Sequence, residues 1–410
     1  MTAKQMERCR QRLTTYLAEM LAPLGRSERR SWGSVYVRGL LLDGERKSAG
    51  AIATRLPDAN EQNLQQFLSQ SPWAWEPVWQ AMAERNERAF PSPEAWVMDD
   101  TSFPKKGEHS VGVQRQSCGA LGKKANCQVA VSLHRTDPQG SSPLGFRLYL
   151  PEIWTDDRDR CQRAGVPDEV GFQKKWELAL ELIDQAFAWG LEKPQAILAD
   201  SGYGDNGAFR QGLEQRGLPY AVGITRDVVV WTEPPTYCIP EAPRRPGPKP
   251  KRIRYGEQRP WSVQEVARQK QRQFRAVTGR EGAKGPLRSR WWAGRVQTAW
   301  HWQEGEEPGR PLWLLLEWPL EEPEPTKYYL CDLPKELSLK RLVSTARGRW
   351  RIELDDQQRK EELGLDHFEG RSWTGWHHDV TLVMLAHLFL RLEQQRRSSK
   401  RKMDPARDAA

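Results

Sequence analysis

Cysteine is sparse and scattered in this chain. Cys9, Cys118, Cys127, Cys161, Cys238 and Cys331 include no Cys-x-x-Cys pair. That argues against a zinc ribbon or a disulfide scaffold and fits a reducing cytoplasm. Long apolar runs are also lacking. The longest, around Leu382 to Leu392, is about half of the roughly 20 residues a membrane span needs, and His387 interrupts it. The first residues are polar and charged, unlike a signal peptide. These absences predict a soluble, cytoplasmic protein with no membrane partner. Several catalytic signatures are missing as well. Gly119 to Lys123 contains a Gly-Lys step without the spacing of a phosphate loop, so no ATP use is expected. Neither H-E-x-x-H nor G-x-S-x-G occurs, and there is no internal repeat.

What is present points to a folded, basic protein. The 410 residues suffice for two or three domains. The chain is 29% charged but still 38% hydrophobic, with 19 Trp, and disordered chains are poor in aromatics. The net charge of +9 suits a polyanionic partner such as nucleic acid. Its source is local: residues 241–290 hold fifteen Lys/Arg against four Glu, a net of +11. The Pro-rich start of that segment, Arg244 to Pro250, reads as an exposed extended loop.

Residues 1–90 read as a helical domain, with helical stretches at 45–56, from Asn63 to Leu68 and from Trp79 to Arg88. Short helices with tight turns suit either a helix-turn-helix DNA reader or a helical cap. After Pro91, the spacing predicts strands at Trp96–Met98, Cys127–Leu133, Phe146–Leu150, Ala196–Ala199 and Tyr220–Ile224, and a helix over Phe172–Trp189. Strands, a helix and strands again make an α/β layer. Strand-like runs follow at Trp291–Trp302, Leu312–Trp318 and Tyr328–Leu330. Trp291, Trp292, Trp300 and Trp302 among basic residues suit either base stacking beside phosphates or a Trp-rich core. Helical patterns run from Leu339 to about Gln358 and from Gly375 to Gln395, and the basic tail, 396–410, reads as disordered.

Three acidic positions stand out. Asp100 ends one apolar strand, Asp200 ends another, and Glu353 lies in a helix between Arg349 and Lys360. Three carboxylates can hold two hard cations, which activate an attacking oxygen and stabilise a leaving one. Equally, strand-end Asp residues cap helices, and Glu353 can pair with Arg349 one turn away.

The run WVMDDTSFPKKGEHSVGVQRQSCGALGKKANCQVAVSLH (96–134) resembles the first catalytic block of bacterial insertion-sequence DDE transposases. The branch it most resembles is the seven-hundred-and-one family of the "IS four" superfamily. AILADSGYG (196–204) resembles the second block, and RWRIELDDQQRKEELGLDHFEGRSWTGWHHD (349–379) the third. The resemblance implies a ribonuclease-H-like core (91–225, completed by 335–395) interrupted by a basic, Trp-rich β insertion (226–334), with residues 1–90 as a DNA-binding domain. It implies Asp100, Asp200 and Glu353 as ligands of two Mg²⁺ ions, with Mn²⁺ as substitute. Asp99 points to the opposite strand face; Asp100 is preferred because Thr101 follows it. A Tyr-x₂-Arg-x₃-Glu-x₆-Lys signature is matched by Arg349, Glu353 and Lys360, which stay near one helical face, but its Tyr is Ala346 here. Asp356 is a fallback ligand. Asp379 departs from a His run that begins at His377-His378; the adjacent histidines are expected to contact structure or DNA rather than metal.

The function implied is cut-and-paste transposition: metal-dependent cleavage at transposon ends and strand transfer into target DNA. The partners implied are duplex DNA (terminal inverted repeats and target) and a second copy of the chain, with the protein at the nucleoid. DNA contacts are expected from Arg349, Lys360, Arg244, Arg245, Lys249, Lys251 and Arg252. The alternative is a non-catalytic or domesticated DNA-binding derivative.

Overall fold

A computed structural model of the protein describes residues 2–239, 252–282 and 285–403; at some positions inside helices and strands, Glu353 among them, only the backbone is described. The chain divides into two compact units, Met1–Lys193 with Trp350–Ala410, and Pro194–Arg349.

The first unit opens with helices α1 (Ala3–Met20), α2 (Ser27–Leu40), α3 (Ala49–Ala53), α4 (Glu61–Ser69) and α5 (Glu76–Ala89). Their starts follow from local chemistry. Thr2 and Gln5 form a capping box on α1, and the Asn60 side chain accepts from Asn63 N at 3.0 Å at the start of α4. Each helix turns one apolar stripe inward, so that Leu17, Leu40, Leu64, Phe67 and Trp79 join a single core. Four antiparallel strands follow: β1 (Ala95–Pro104), β2 (Gln114–Cys118), β3 (Lys123–Asp137) and β4 (Gly140–Leu148). The long β3 is central. It pairs with β1 from Ala95↔Thr136 to Pro104↔Cys127, while β4 and β2 share its other edge. Helices α6 (Glu152–Thr155), α7 (Arg158–Arg163) and α8 (Lys175–Ala188) come next. Phe172 lies before α8 rather than in it, with its ring against Tyr149.

The second unit holds β5 (Ile197–Ala199), α9 (Ser201–Gly204), α10 (Gly207–Gln215), β6 (Tyr220–Ile224), β7 (Val229–Trp231), β8 (Tyr237–Cys238), β9 (Arg254–Tyr255), β10 (Trp261–Ser262), α11 (Val263–Gln269), β11 (Arg275–Gly282), β12 (Gly285–Thr298), β13 (Pro311–Pro319), β14 (Lys327–Asp332) and α12 (Leu339–Ala346). Its main strands run in the order β10-β7-β12-β13-β14-β6-β5, with β11 also on β12. The β5–β6 pair is parallel and the others antiparallel, so the sheet is mixed. The Trp question divides residue by residue. Trp291 is fully buried and belongs to the core, whereas Trp300 is 38% exposed; Trp292 and Trp302 are half-buried.

The chain returns to the first unit with α13 (Trp350–Glu361) and α14 (Trp373–Met403). The single helix expected from Leu339 to Gln358 is therefore two, parted by a 3₁₀ turn at Arg347–Arg349. The break has local causes. The Arg347 guanidinium is drawn to Glu317 and lies 5.2 Å from the Trp291 ring. Gly348 passes so close to Leu198 that a Cβ would sit 2.9 Å from its Cδ1. Helix α14 continues to Met403, past the position 396 where the sequence suggests disorder; residues 404–410 lie outside the described residues. Among the described residues, no helix is long and apolar enough to cross a membrane.

His377 and His378 are structural. The His378 ring stacks on Trp73 at 3.6 Å, and His377 stacks on Trp75 at 4.3 Å. Burial holds them down at about 3 for His377 and about 4 for His378, so both rings are neutral. Asp379 is buried beside them. Tyr36 donates to its Oδ1 at 2.6 Å, while Oδ2 has no hydrogen-bond partner among the described residues. Burial pushes this carboxyl up to about 7.

These shifts have opposite signs. The buried histidines withdraw stability as pH falls below about 6.5, because only the unfolded chain takes up their protons there. Asp379 withdraws it as pH rises from about 4 through 7, because the unfolded chain ionises first. Asp379→Asn should therefore be more stable than the wild type at pH 8, by on the order of 3 kcal/mol. The gap should close toward pH 4. Urea unfolding of both proteins at pH 4, 6 and 8 checks this, and a gap independent of pH contradicts it.

Candidate active site

Asp100 does not end its strand. The pairing of β1 with β3 continues unbroken to Pro104, because Thr101, Ser102 and Phe103 are buried and keep the chain in the sheet. The carboxylate thus projects from the middle of a rigid strand. Lys175, the first residue of α8, places Nζ 2.6 Å from Asp100 Oδ2. Both side chains are about one-third exposed, and Lys175 Nζ also lies 5.5 Å from the centre of the Tyr149 ring. The alternation of the strand separates Asp99 from Asp100. Asp99 turns its Oδ1 back to accept from Asp100 N at 3.0 Å, and its carbonyl accepts from Ser132 Oγ.

Asp200, in the second unit, ends β5 and caps α9, accepting from Gly202 N at 2.9 Å. Both readings of this residue, strand end and helix cap, hold at once. The turn is held by backbone contact: a Cβ on Gly204 would stand 1.8 Å from the carbonyl oxygen of Gly223 in β6. Glycine at 204 is therefore a steric requirement of the turn that carries Asp200.

Glu353 lies in α13; its side chain, and that of Asp356, fall outside the described residues. The helix itself is firmly docked in the first unit. Asp355 Oδ2 accepts from Ser141 N at 2.7 Å and from Ser141 Oγ. Arg351 pairs with Glu94 and donates to the Asp137 carbonyl at 2.9 Å. Ile352 and Arg359 are fully buried. The Arg359 guanidinium lies 3.4 Å from both His387 Nε2 and His134 Nδ1; burial, and after it the Arg359 and Arg391 charges, hold His387 well below the ordinary histidine range.

The other predicted residues separate. Arg349 closes the second unit in the 3₁₀ turn, while Lys360 sits half-buried in α13, so Arg349, Glu353 and Lys360 do not share one continuous helix. Ala346 is buried in α12. Arg252 is exposed; Arg244, Arg245, Lys249 and Lys251 lie outside the described residues. Lys175, Arg351 and Asp355 were not singled out from sequence. The i,i+4 spacing of Arg351 and Asp355 astride Glu353 is a visible trace of a docked helix face; nothing marks Lys175.

Among the described residues, no three His, Cys, Asp or Glu side chains assemble to hold a metal ion, and that set does not include Glu353. The donor chemistry nevertheless fits a hard divalent cation. Asp100, Asp200 and Glu353 offer only carboxylate oxygens, and Asp100 already attracts a positive group in Lys175.

The family described as DDE superfamily endonuclease matches residues 19–286, which include Asp100 and Asp200 and stop short of Glu353. A protein of Microchaete diplosiphon described as "Probable transposase for insertion sequence element IS701" is 32% identical over 188 residues, 45% of this chain and 46% of that protein. The chain thus spans about half the length of the curated relative it matches.

The docking of α13 yields a prediction. Asp355→Ala removes the acceptor of both Ser141 bonds and should cost about 1–3 kcal/mol. Amide hydrogen exchange over 350–361 should accelerate while β3 stays protected. Unchanged exchange in α13 would show that Asp355 does not hold the helix.

Proposed function

The chain belongs to the DDE superfamily of endonucleases, and on that premise we propose that it is a cut-and-paste insertion-sequence transposase. In this reading it cleaves a phosphodiester at each end of its element, frees a 3′-hydroxyl and transfers that strand to target DNA. The observation that carries it is the family match across both Asp100 and Asp200, the first within a strand and the second where one ends.

Asp100, Asp200 and Glu353 would hold two Mg²⁺ ions, with Mn²⁺ able to replace them. When bound, such ions polarise the phosphate and lower the pKa of water. The chain's own residues set the geometry. The β1–β3 pairing fixes Asp100 in a rigid strand, and Lys175 restrains its carboxylate. The Gly202 amide orients Asp200, and the Asp355 and Arg351 contacts hold the helix of Glu353. Rigid supports of this kind suit a site that must meet metal geometry. The proposal includes a ribonuclease-H-like core (91–225 with 335–395) interrupted by the 226–334 insertion, and DNA reading by residues 1–90. The basic residues from Arg244 to Arg252, with Arg349 and Lys360, would neutralise phosphates, giving steep salt dependence. The protein would act as a dimer on paired ends, at the nucleoid.

The test is cleavage of a labelled duplex carrying the element's own end, with Mg²⁺. The wild type should cut, and Asp200→Ala should fall to background while binding the same DNA. DNA binding without cutting by either protein would instead favour a non-catalytic derivative, the reading that Ala346 favours.

A further inference from the structure

In the first unit, three connections meet around a cavity of about 330 Å³, at the small end of the usual range for ligand pockets, roughly 300–1,000 Å³. The loop after β1 brings Lys105 and Lys106, the α13–α14 connection brings Asp366, Glu369 and Arg371, and the segment after α2 brings Arg46. Both larger loops belong to sequence blocks that the carboxylate chemistry leaves unused beyond Asp100 and Glu353.

The connections are tied to one another. Lys105 Nζ donates to the Phe368 carbonyl, Val111 N donates to the Arg371 carbonyl at 3.0 Å, and Lys47 N donates to His367 Nδ1 at 3.2 Å. The lining is therefore assembled before any ligand arrives. Its charges are not matched internally. Asp366 stands 3.7 Å from His367 Nε2, and Glu369 is exposed. Arg46, Lys106 and Arg371 are exposed and make no ion pair among the described residues, and Lys105 spends its ammonium on a carbonyl. Other cations of this unit do have carboxylate partners, Arg12 with Glu393 and Arg38 with Asp58 among them. The lining thus carries four cations against two carboxylates, a net positive charge around one preformed cavity that would attract an anion.

We propose that this cavity, whose lining includes none of the three carboxylates, is a phosphate-binding site that takes a backbone phosphate of DNA. Three of its four cations stand exposed on the rim, which suits a strand passing over the opening better than a small anion sealed within. The proposal rests on the reading of the protein as a DNA-acting enzyme and adds a contact point in the first unit to those proposed for the basic 241–290 segment.

The experiment compares wild type, the triple variant Arg46→Ala/Lys106→Ala/Arg371→Ala and the reversal Lys106→Glu. The side chains are exposed, so circular dichroism and Tm should be unchanged. Duplex affinity is measured against salt, and inorganic phosphate is titrated at constant ionic strength with thermal shift as readout. The triple variant should bind DNA about tenfold or more weakly, with a salt slope shallower by about 1 for each phosphate it no longer neutralises; Lys106→Glu should also weaken binding. Inorganic phosphate should have little effect on either protein at concentrations where DNA saturates. Equal DNA affinity and salt slope in wild type and triple variant would overturn the proposal. Selective stabilisation of the wild type by inorganic phosphate, with DNA binding equal, would overturn its DNA part and assign the site to a free anion. Failure of the transposase reading is distinguishable: the wild type would not cut DNA, yet the triple variant would still show the shallower slope.

Discussion

The antiparallel ladder between β1 and β3 is the constraint on which the first unit depends. Ten residue pairs run without a bulge, and a one-residue slip would exchange the faces of every side chain in β1. Asp99 and Asp100 would trade places. The other edge of β3 carries β4 in a register that shifts once, between Leu133 and His134. Beside that irregularity, His134 meets Arg359, and at the β3–β4 turn Ser141 receives Asp355. One strand thus fixes the first carboxylate along one edge and receives the helix of the third along the other.

Cations are used in two ways around this frame. Arg135, Arg359 and Arg391 are buried and serve as structural ties; Arg391, for example, reaches Asp137 at 2.9 Å and Ser142 at 2.7 Å. Burying such charges costs solvation, which only close partners offset. Exposed cations carry no such solvation cost, and those around the Lys105–Arg371 cavity, Arg46, Lys106 and Arg371, make no ion pair among the described residues. Burial therefore decides which arginines of a strongly basic chain hold the fold and which face solvent.

Much of the fold was legible in the residues. Alternation located β3, the strand-like run 312–318 located β13, the apolar run 196–199 located β5, and helical spacing located α8 and α14. Asp200 was legible because an apolar run that stops at Asp-Ser-Gly can only leave the sheet. Asp100 was placed at a strand end because polar residues follow it, yet Thr101 and Ser102 are buried, and pairing with β3 outweighs their polarity. The break at Arg347–Arg349 was not legible, since its causes, Glu317 and Leu198, are distant in sequence. For the same reason Lys175 was missed: its meaning arises only from the packing that sets α8 beside β1.

The close approach at Gly204 has a consequence for how the second carboxylate tolerates change. Side-chain packing can be repaired by a neighbour of different size, but here the obstacle is a main-chain oxygen in β6, which no substitution elsewhere can shrink. The turn after Asp200 is consequently closed to compensation. Its geometry can drift only if two strands move together, and so divergence of this chain is confined to positions that leave the turn as it stands.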